Sequence, residues 1–277
     1  MDLRRADLHM HTRCSDGRLT PAELVRRARE AGLQAIAVTD HDCVDGLEDA
    51  IAEGKRAGVD VIPGIELSVT VGLREAHLLG FYFDPTEPSL VEHLRRFRDI
   101  REERVHRMVE RLGELGVPVT IEDVLAVANG AILGRPHVAA AVVRGNFAAA
   151  EQDVFDTYLK EGAPGYVGKP PFPAEEALAM LHRAGGIGVL AHPGHWTSDS
   201  AIKHLVRSGL DGLETIHPSH DYALRQYYRQ RARDLGLVES GGSDYHGYRE
   251  IDEENIGRYN IPYVQLEALE RRARGGR

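Results

Sequence analysis

The residues best suited to chemistry begin at Asp7-Leu8-His9-Met10-His11. A strand sends alternate side chains to opposite faces, so His9 and His11 point the same way. Two imidazoles on one face are a ready pair of metal ligands. Asp16 follows in a turn closed by Gly17, where its carboxylate can swing back toward the same point. Alone, this motif reads as two surface histidines. It gains weight because histidines and acids recur where later apolar runs end. His41 follows Ala35–Thr39, Glu66 follows Val59–Ile65, His192 follows Ile187–Ala191, and Asp244 and His246 follow Leu237–Gly241. His77 lies within Ala76–Phe81. These six imidazoles and three carboxylates are too many for one ion. They suit two or three divalent ions, with Glu66 or Asp244 bridging. Mixed nitrogen and oxygen ligation without thiolate fits manganese, iron or zinc better than calcium or a structural zinc site.

Strands and helices must bring these residues together. Thr20, Pro21 and Glu23 form a capping box at the start of a helix that ends near Gly32. The short β-branched run after it is a buried strand, and a helix covers 46–57. The strand ending in Glu66 pairs antiparallel with the one carrying His77. Strand–helix alternation then stops. Residues 88–116 read as one long helix with an apolar stripe of Leu94, Phe97, Val105, Met108, Leu112 and Leu115. Further helices are expected from Thr120, over Pro136–Val143 and over Val154–Lys160. Alternation resumes after the Pro/Gly-rich stretch 162–173. The Arg-rich C-terminal tail is expected to be frayed. This gives an α/β fold of seven strands with helices between most of them. A β/α barrel gathers the carboxyl ends of its strands around one pocket, which turns a scattered list into one site. The expected division is a barrel of residues 1–89 and 166–277 and an inserted helical subdomain of residues 90–165.

Composition narrows the class. The chain has 277 residues, 42% hydrophobic and 28% charged, with a formal net charge of −9. That balance offers no broad basic surface for duplex DNA. Three divalent ions would bring −9 to −3, which suits a small phosphorylated ligand held by metals and a few arginines. No apolar run is long enough to span a bilayer, and Met-Asp-Leu-Arg-Arg has no signal-peptide core behind it. Cys14 and Cys43 do not make a disulfide framework and read as core-filling thiols, so a reducing cytoplasm is expected. The pattern implies no particular number of subunits.

Asp7-Leu8-His9-Met10-His11, Thr39-Asp40-His41, Gly64-Ile65-Glu66, Ala191-His192-Pro193 and Gly242-Ser243-Asp244-Tyr245-His246 together resemble the motifs of the PHP (polymerase and histidinol phosphatase) family. The resemblance implies a distorted, TIM-like seven-stranded β/α barrel, a trinuclear metal site and phosphoester hydrolysis by attack of a metal-bridging hydroxide on phosphorus. It implies that His9, His11, Glu66 and Asp244 hold one ion, that Glu66, His77 and His192 hold a second, and that Asp16, His41 and His246 hold a third. Mn2+ is the expected metal, with Fe2+, Zn2+ and Mg2+ as alternatives. The insertion, with Gly134-Arg135-Pro136-His137-Val138-Ala139, resembles a narrower branch. That branch holds 3',5'-nucleoside bisphosphate phosphatases and 5'-to-3' exoribonucleases of the RNase AM type.

Arg135 is the candidate for clamping phosphate, because its fork binds two oxygens at once. Arg18 and Lys169 are further phosphate candidates. His195 and His217 could bind phosphate or protonate the leaving oxygen, and His217 and His137 could also support ligands from behind. Asp40 is expected to orient a ligand or hold substrate. His93, His106, His182 and His204 are expected on helix surfaces. The insertion leaves the barrel after the fourth strand and returns before the fifth, so it should cover one side of the metal mouth. The leading substrate is a nucleoside 3',5'-bisphosphate, hydrolysed at its 3'-phosphate. Short 5'-phosphorylated RNA, then histidinol phosphate, then a non-catalytic PHP module are the alternatives.

Overall fold

The computed structural model describes residues 3–275. Its elements run β1 (Arg5–Asp7), α1 (Pro21–Glu30), β2 (Ala35–Val38), α2 (Leu47–Ala57), β3 (Asp60–Val71), β4 (Arg74–Phe81), α3 (Pro88–Glu114), α4 (Ile121–Ala128), α5 (Arg135–Arg144) and α6 (Glu151–Val154). They continue with α7 (Ala174–Arg183), β5 (Ile187–Leu190), α8 (Asp199–Arg207), β6 (Gly212–Ile216), α9 (Tyr222–Leu235), β7 (Val238–Gly241), α10 (Glu250–Asn255), β8 (Ile261–Pro262) and α11 (Tyr263–Ala273). The chain divides into two compact units, one of Met1–Val91 and Pro171–Arg277, the other of Glu92–Pro170.

The first unit is a distorted TIM-like barrel. Its sheet has the order β7-β6-β5-β4-β3-β2-β1-β8. The Leu8 amide donates to the Gly241 carbonyl at 3.1 Å, and Met10 bridges Tyr245 in parallel, which joins the chain leaving β1 to the chain leaving β7. The distortion is β4, antiparallel to both β3 and β5. Among the described residues there are eight strands rather than the expected seven. The extra one, β8, pairs antiparallel with β1 through two residues, too short to carry a hydrophobic pattern. The barrel interior is filled by Leu8, Ala37, Leu79, Phe81, Val189 and their neighbours.

Local signals read well where side chains meet backbone nearby. The Thr20 hydroxyl accepts from the Glu23 amide while the Glu23 carboxylate accepts from the Thr20 amide. In the second unit, Val105, Met108 and Leu112 of α3 pack with Val124, Val138, Val142 and Leu159. Leu115, expected in that stripe, lies beyond the end of α3 and is 44% exposed. The expected helix at 154–160 is the end of α6 followed by a π-helical turn, Phe155–Leu159. The tail is not frayed through its arginines: α11 runs to Ala273 and buries Leu266 and Leu269, while the last residues of the expected tail lie outside the described ones. No helix among the described residues is long and apolar enough to cross a membrane.

Candidate metal centre

The barrel brings nine side chains into one cluster, seven from the segments that follow strands and two, Glu66 and His77, from within β3 and β4: His9, His11, Asp16, His41, Glu66, His77, His192, Asp244 and His246. His9 and His11 follow the end of β1, fully buried like their neighbours Leu8 and Met10, with their ring centres 5.2 Å apart. Asp16 returns to His11 because the loop doubles back, with the Gly17 amide donating to the Thr12 carbonyl. A Cβ on Gly17 would stand 2.4 Å from the His11 carbonyl oxygen, so no side chain fits there. The antiparallel β4 presents His77 from within a strand, beside Glu66 of β3.

Glu66 is the hub. Its Oε2 lies 3.2 Å from His9 Nε2, 3.3 Å from His11 Nε2 and 3.1 Å from His41 Nδ1. Its Oε1 lies 2.8 Å from His77 Nδ1 and 3.0 Å from His192 Nε2. Asp244 Oδ1 lies 3.4 Å from His9 Nε2 and 3.2 Å from His11 Nε2. Asp16 stands 3.4 Å from His246 Nε2 and 3.8 Å from His41 Nε2. Donors about 2.1 Å from a shared ion are about 3.0–3.4 Å apart in octahedral or tetrahedral arrays. These separations around Glu66 and Asp244 fall in that range, except that to His77, which at 2.8 Å lies just below it. Moreover, His9 Nε2, both nitrogens of His11 and His41 Nδ1 are buried with no hydrogen-bond partner, although carboxylate oxygens are near. Buried polar atoms left this way are costly unless something else satisfies them. Divalent cations fit both observations.

The electrostatics agree. Burial alone would raise the pKa of Glu66, but His41, His77 and His9 hold it well below the usual carboxylate range. Asp16 and Asp244 are likewise held well below it by neighbouring imidazoles, against the effect of burial. Burial would lower the pKa of His246, but Asp16 and Asp244 push it up to about 10. Burial drives His41 down to about 3, leaving its ring neutral and able to ligate. His192 and Asp244 have φ of 24° and 51°, and backbone strain of this kind persists where the surroundings enforce it.

The residues behind the cluster orient it. Glu214, which sequence reasoning passed over, is fully buried and accepts from His9 Nδ1 at 2.9 Å and from the His192 amide at 2.6 Å. With its Nδ1 proton so engaged, His9 directs the Nε2 lone pair toward Glu66 and Asp244. An acid in the middle of the apolar run Gly212–Ile216 is the signal that points to it. His217 Nδ1 accepts from the Ser219 amide at 3.0 Å and lies 2.7 Å from the Ser219 hydroxyl, which leaves Nε2 facing Asp244 at 3.3 Å. Asp40 accepts from the Thr12 amide at 2.8 Å, the Thr12 hydroxyl at 2.6 Å and the Ser15 hydroxyl at 2.5 Å. Of the two roles expected of it, these bonds serve orientation: they hold the loop that carries Asp16.

Other candidates are not among the clustered side chains. His195 is exposed on the turn after β5, and Arg18 is exposed, its amide bonded to the His246 carbonyl. Arg135 begins α5 in the second unit, where it donates to the Leu159 carbonyl at 3.5 Å and lies 5.8 Å from the Tyr166 ring centre. Lys169 is half-buried in the same unit. There too, His137 accepts from the Gly134 amide at 3.2 Å, capping α5. His182, expected on a surface, is instead half-buried and bonded to Asp211 at 2.7 Å. Cys43 is buried, Cys14 is half-buried, and both thiols are free.

Known proteins bear on this centre. The PHP domain model matches residues 7–160. The 3',5'-nucleoside bisphosphate phosphatase of Chromobacterium violaceum is 35% identical over 246 residues, covering 87% of this chain and 86% of the relative. The 5'-3' exoribonuclease Rnm of Escherichia coli is 34% identical over 247 residues, covering 87% and 84%. The phosphoribosyl 1,2-cyclic phosphate 1,2-diphosphodiesterase of Eggerthella lenta is 32% identical, covering 87% and 94%. A solved structure from Bifidobacterium adolescentis, provisionally assigned as a metal-dependent phosphoesterase, superposes with a TM-score of 0.83 at 32% identity, over 88% of each chain. With these likenesses beside a cluster built to hold divalent cations, the chain belongs to the PHP domain family and is a hydrolase of phosphoesters.

Proposed function

We propose that the chain removes the 3'-phosphate of nucleoside 3',5'-bisphosphates and leaves the nucleoside 5'-monophosphate. The observation that carries this reading is the Glu66 hub, met on its two oxygens by five histidines, in a chain 35% identical to a phosphatase of that specificity. His9, His11, Glu66 and Asp244 would hold one ion, Glu66, His77 and His192 a second, and Asp16, His41 and His246 a third, with Mn2+ as the first choice. Divalent ions bound there would polarise phosphoryl oxygens and lower the pKa of water from about 15.7 toward 7.

The chain's own residues supply the rest. His217 presents Nε2 beside Asp244 at 3.3 Å, from where it would protonate the departing 3'-oxygen. His195, on the turn after β5, is the alternative donor or a phosphate ligand. Arg135 grips the 5'-phosphate, with Arg18 and Lys169 as additional cationic contacts. Exoribonuclease activity on short 5'-phosphorylated RNA is the second reading, favoured by a relative at 34% identity whose name states that activity. Both substrates offer a terminal 5'-phosphate beside the 3'-phosphoester.

The test is hydrolysis by Mn2+-loaded protein, followed as phosphate release from adenosine 3',5'-bisphosphate and histidinol phosphate, as mononucleotide release from a 5'-phosphorylated oligoribonucleotide, and as ring opening of a ribose 1,2-cyclic phosphate. The highest kcat/KM is expected for the bisphosphate. Preference for the cyclic phosphate or for histidinol phosphate would overturn the reading.

A further inference from the structure

Phosphate chemistry alone does not tell a nucleotide from a bare sugar phosphate; that takes a surface for the base. The chain has a single tryptophan, and it stands on the turn that follows β5, four residues after His192. Trp196 is 37% exposed. Its indole edge lies against Gly194, where an added Cβ would stand 3.2 Å from Cδ1.

The turn beneath it is pinned on several sides. Gly194 has φ of 53°, and its amide donates to buried His220 Nε2 at 3.3 Å. The Tyr228 hydroxyl of α9 donates to the Gly194 carbonyl. The Thr197 hydroxyl donates to the Pro193 carbonyl at 2.6 Å. An exposed aromatic ring on a floppy loop would be unremarkable, since single apolar side chains on surfaces are common. A ring carried on a turn whose backbone three side chains hold, four residues after a cluster residue, is a preorganised stacking face. After β6, the first residue of α9 is exposed Tyr222, and after β7 exposed Tyr248 stands two residues past His246.

We propose that Trp196 is the base-recognition element of this site, the face on which the nucleobase of a nucleotide substrate stacks. This rests on the nucleotide reading above and adds to it. Stacking asks only for a π-face, so the expected preference is for any nucleotide over a base-free sugar phosphate, with modest discrimination among bases.

Because Trp196 is the only tryptophan, intrinsic fluorescence reports on that position. Mn2+-loaded protein is titrated with adenosine 5'-monophosphate and with ribose 5-phosphate, by fluorescence and by calorimetry. The nucleotide should quench the signal saturably, and the sugar phosphate should bind without quenching. In Trp196→Ala, affinity for the nucleotide should fall about five- to hundredfold, with affinity for the sugar phosphate unchanged. Trp196→Phe should restore most of the loss. An unchanged nucleotide affinity in Trp196→Ala overturns the inference. So does an equal loss for both ligands, which would make Trp196 a support for the turn. If wild type prefers nucleotides and the variant is unaffected, only the role of Trp196 is lost. If wild type binds both ligands equally and hydrolyses a base-free sugar bisphosphate as fast as adenosine 3',5'-bisphosphate, this inference and the nucleotide reading fall together.

Discussion

Replacing Glu214 by Gln tests whether the cluster is oriented from behind. The two side chains have nearly the same shape, so the barrel should stay folded. Glu214 accepts from two donors, His9 Nδ1 at 2.9 Å and the His192 amide at 2.6 Å. A glutamine has one acceptor oxygen, so one of those donors must face an NH2 group. Both elements it ties together carry cluster residues, so the loss falls on His9 or on His192. A buried hydrogen bond to a charged group is worth about 1.5–3 kcal/mol, or about ten- to hundredfold in an equilibrium constant. Loss of a partner behind a metal-ligating histidine typically costs about 10–100-fold in affinity. The two estimates agree. Competition with a fluorescent chelator should therefore show Mn2+ affinity reduced by that range in Glu214→Gln, with most of the activity returning at high Mn2+. The pKa of His9 in the metal-free protein should also fall. Burial lowers it, and Glu214 is the largest of the carboxylate influences that raise it. Wild-type metal affinity in a folded Glu214→Gln would refute the orienting role.

Glu66→Ala and Asp244→Ala should each cut hydrolysis to below about a tenth of wild type while circular dichroism stays native, because no neighbour replaces a carboxylate so placed. Arg135→Ala should lose about ten- to hundredfold in kcat/KM on adenosine 3',5'-bisphosphate and much less on an aryl phosphate; an equal fall on both would put Arg135 at the reacting phosphate. Burial lowers the pKa of His9, His11, His192 and His246, and neighbouring carboxylates more than reverse this, taking His246 to about 10. Ligation needs their lone pairs, so metal binding should release protons, measured by calorimetry in buffers of different ionisation enthalpy, and affinity should rise with pH. Such raised pKa values stabilise the metal-free protein fully below about 6.5 and progressively less as pH climbs toward 10, so the gap in Tm between metal-loaded and metal-free protein should widen from pH 7 to 9. A gap that narrows would contradict the assignment of these shifts.

The parts of the fold that were legible in the sequence are those with local causes. Thr20 and Glu23 are three residues apart, and their mutual bonds follow from that spacing alone. His9 and His11 come together just past the end of β1, and the strand-end rule carries His41, His192, Asp244 and His246 to the same place; Glu66, expected at a strand end, lies instead within β3, which runs on to Val71. What stayed hidden depends on distant partners. Glu214 meets His9 across 205 residues of sequence, and nothing near it in the chain marks it as more than a buried acid. The bonds that commit Asp40 to the Asp16 loop reach back to Thr12 and Ser15, and a sequence cannot say which carboxylate oxygens are already taken. β8 has two residues, fewer than any periodicity needs, and exists because β1 offers it an edge.

The central claim is that the nine clustered side chains hold more than one divalent ion and that hydrolysis depends on them. Metal-free protein titrated with Mn2+ while phosphate release from adenosine 3',5'-bisphosphate is followed, with metal content read by elemental analysis at each point, tests it directly. Activity should reach its plateau at two or three equivalents per chain. Full activity at one equivalent or fewer would contradict it.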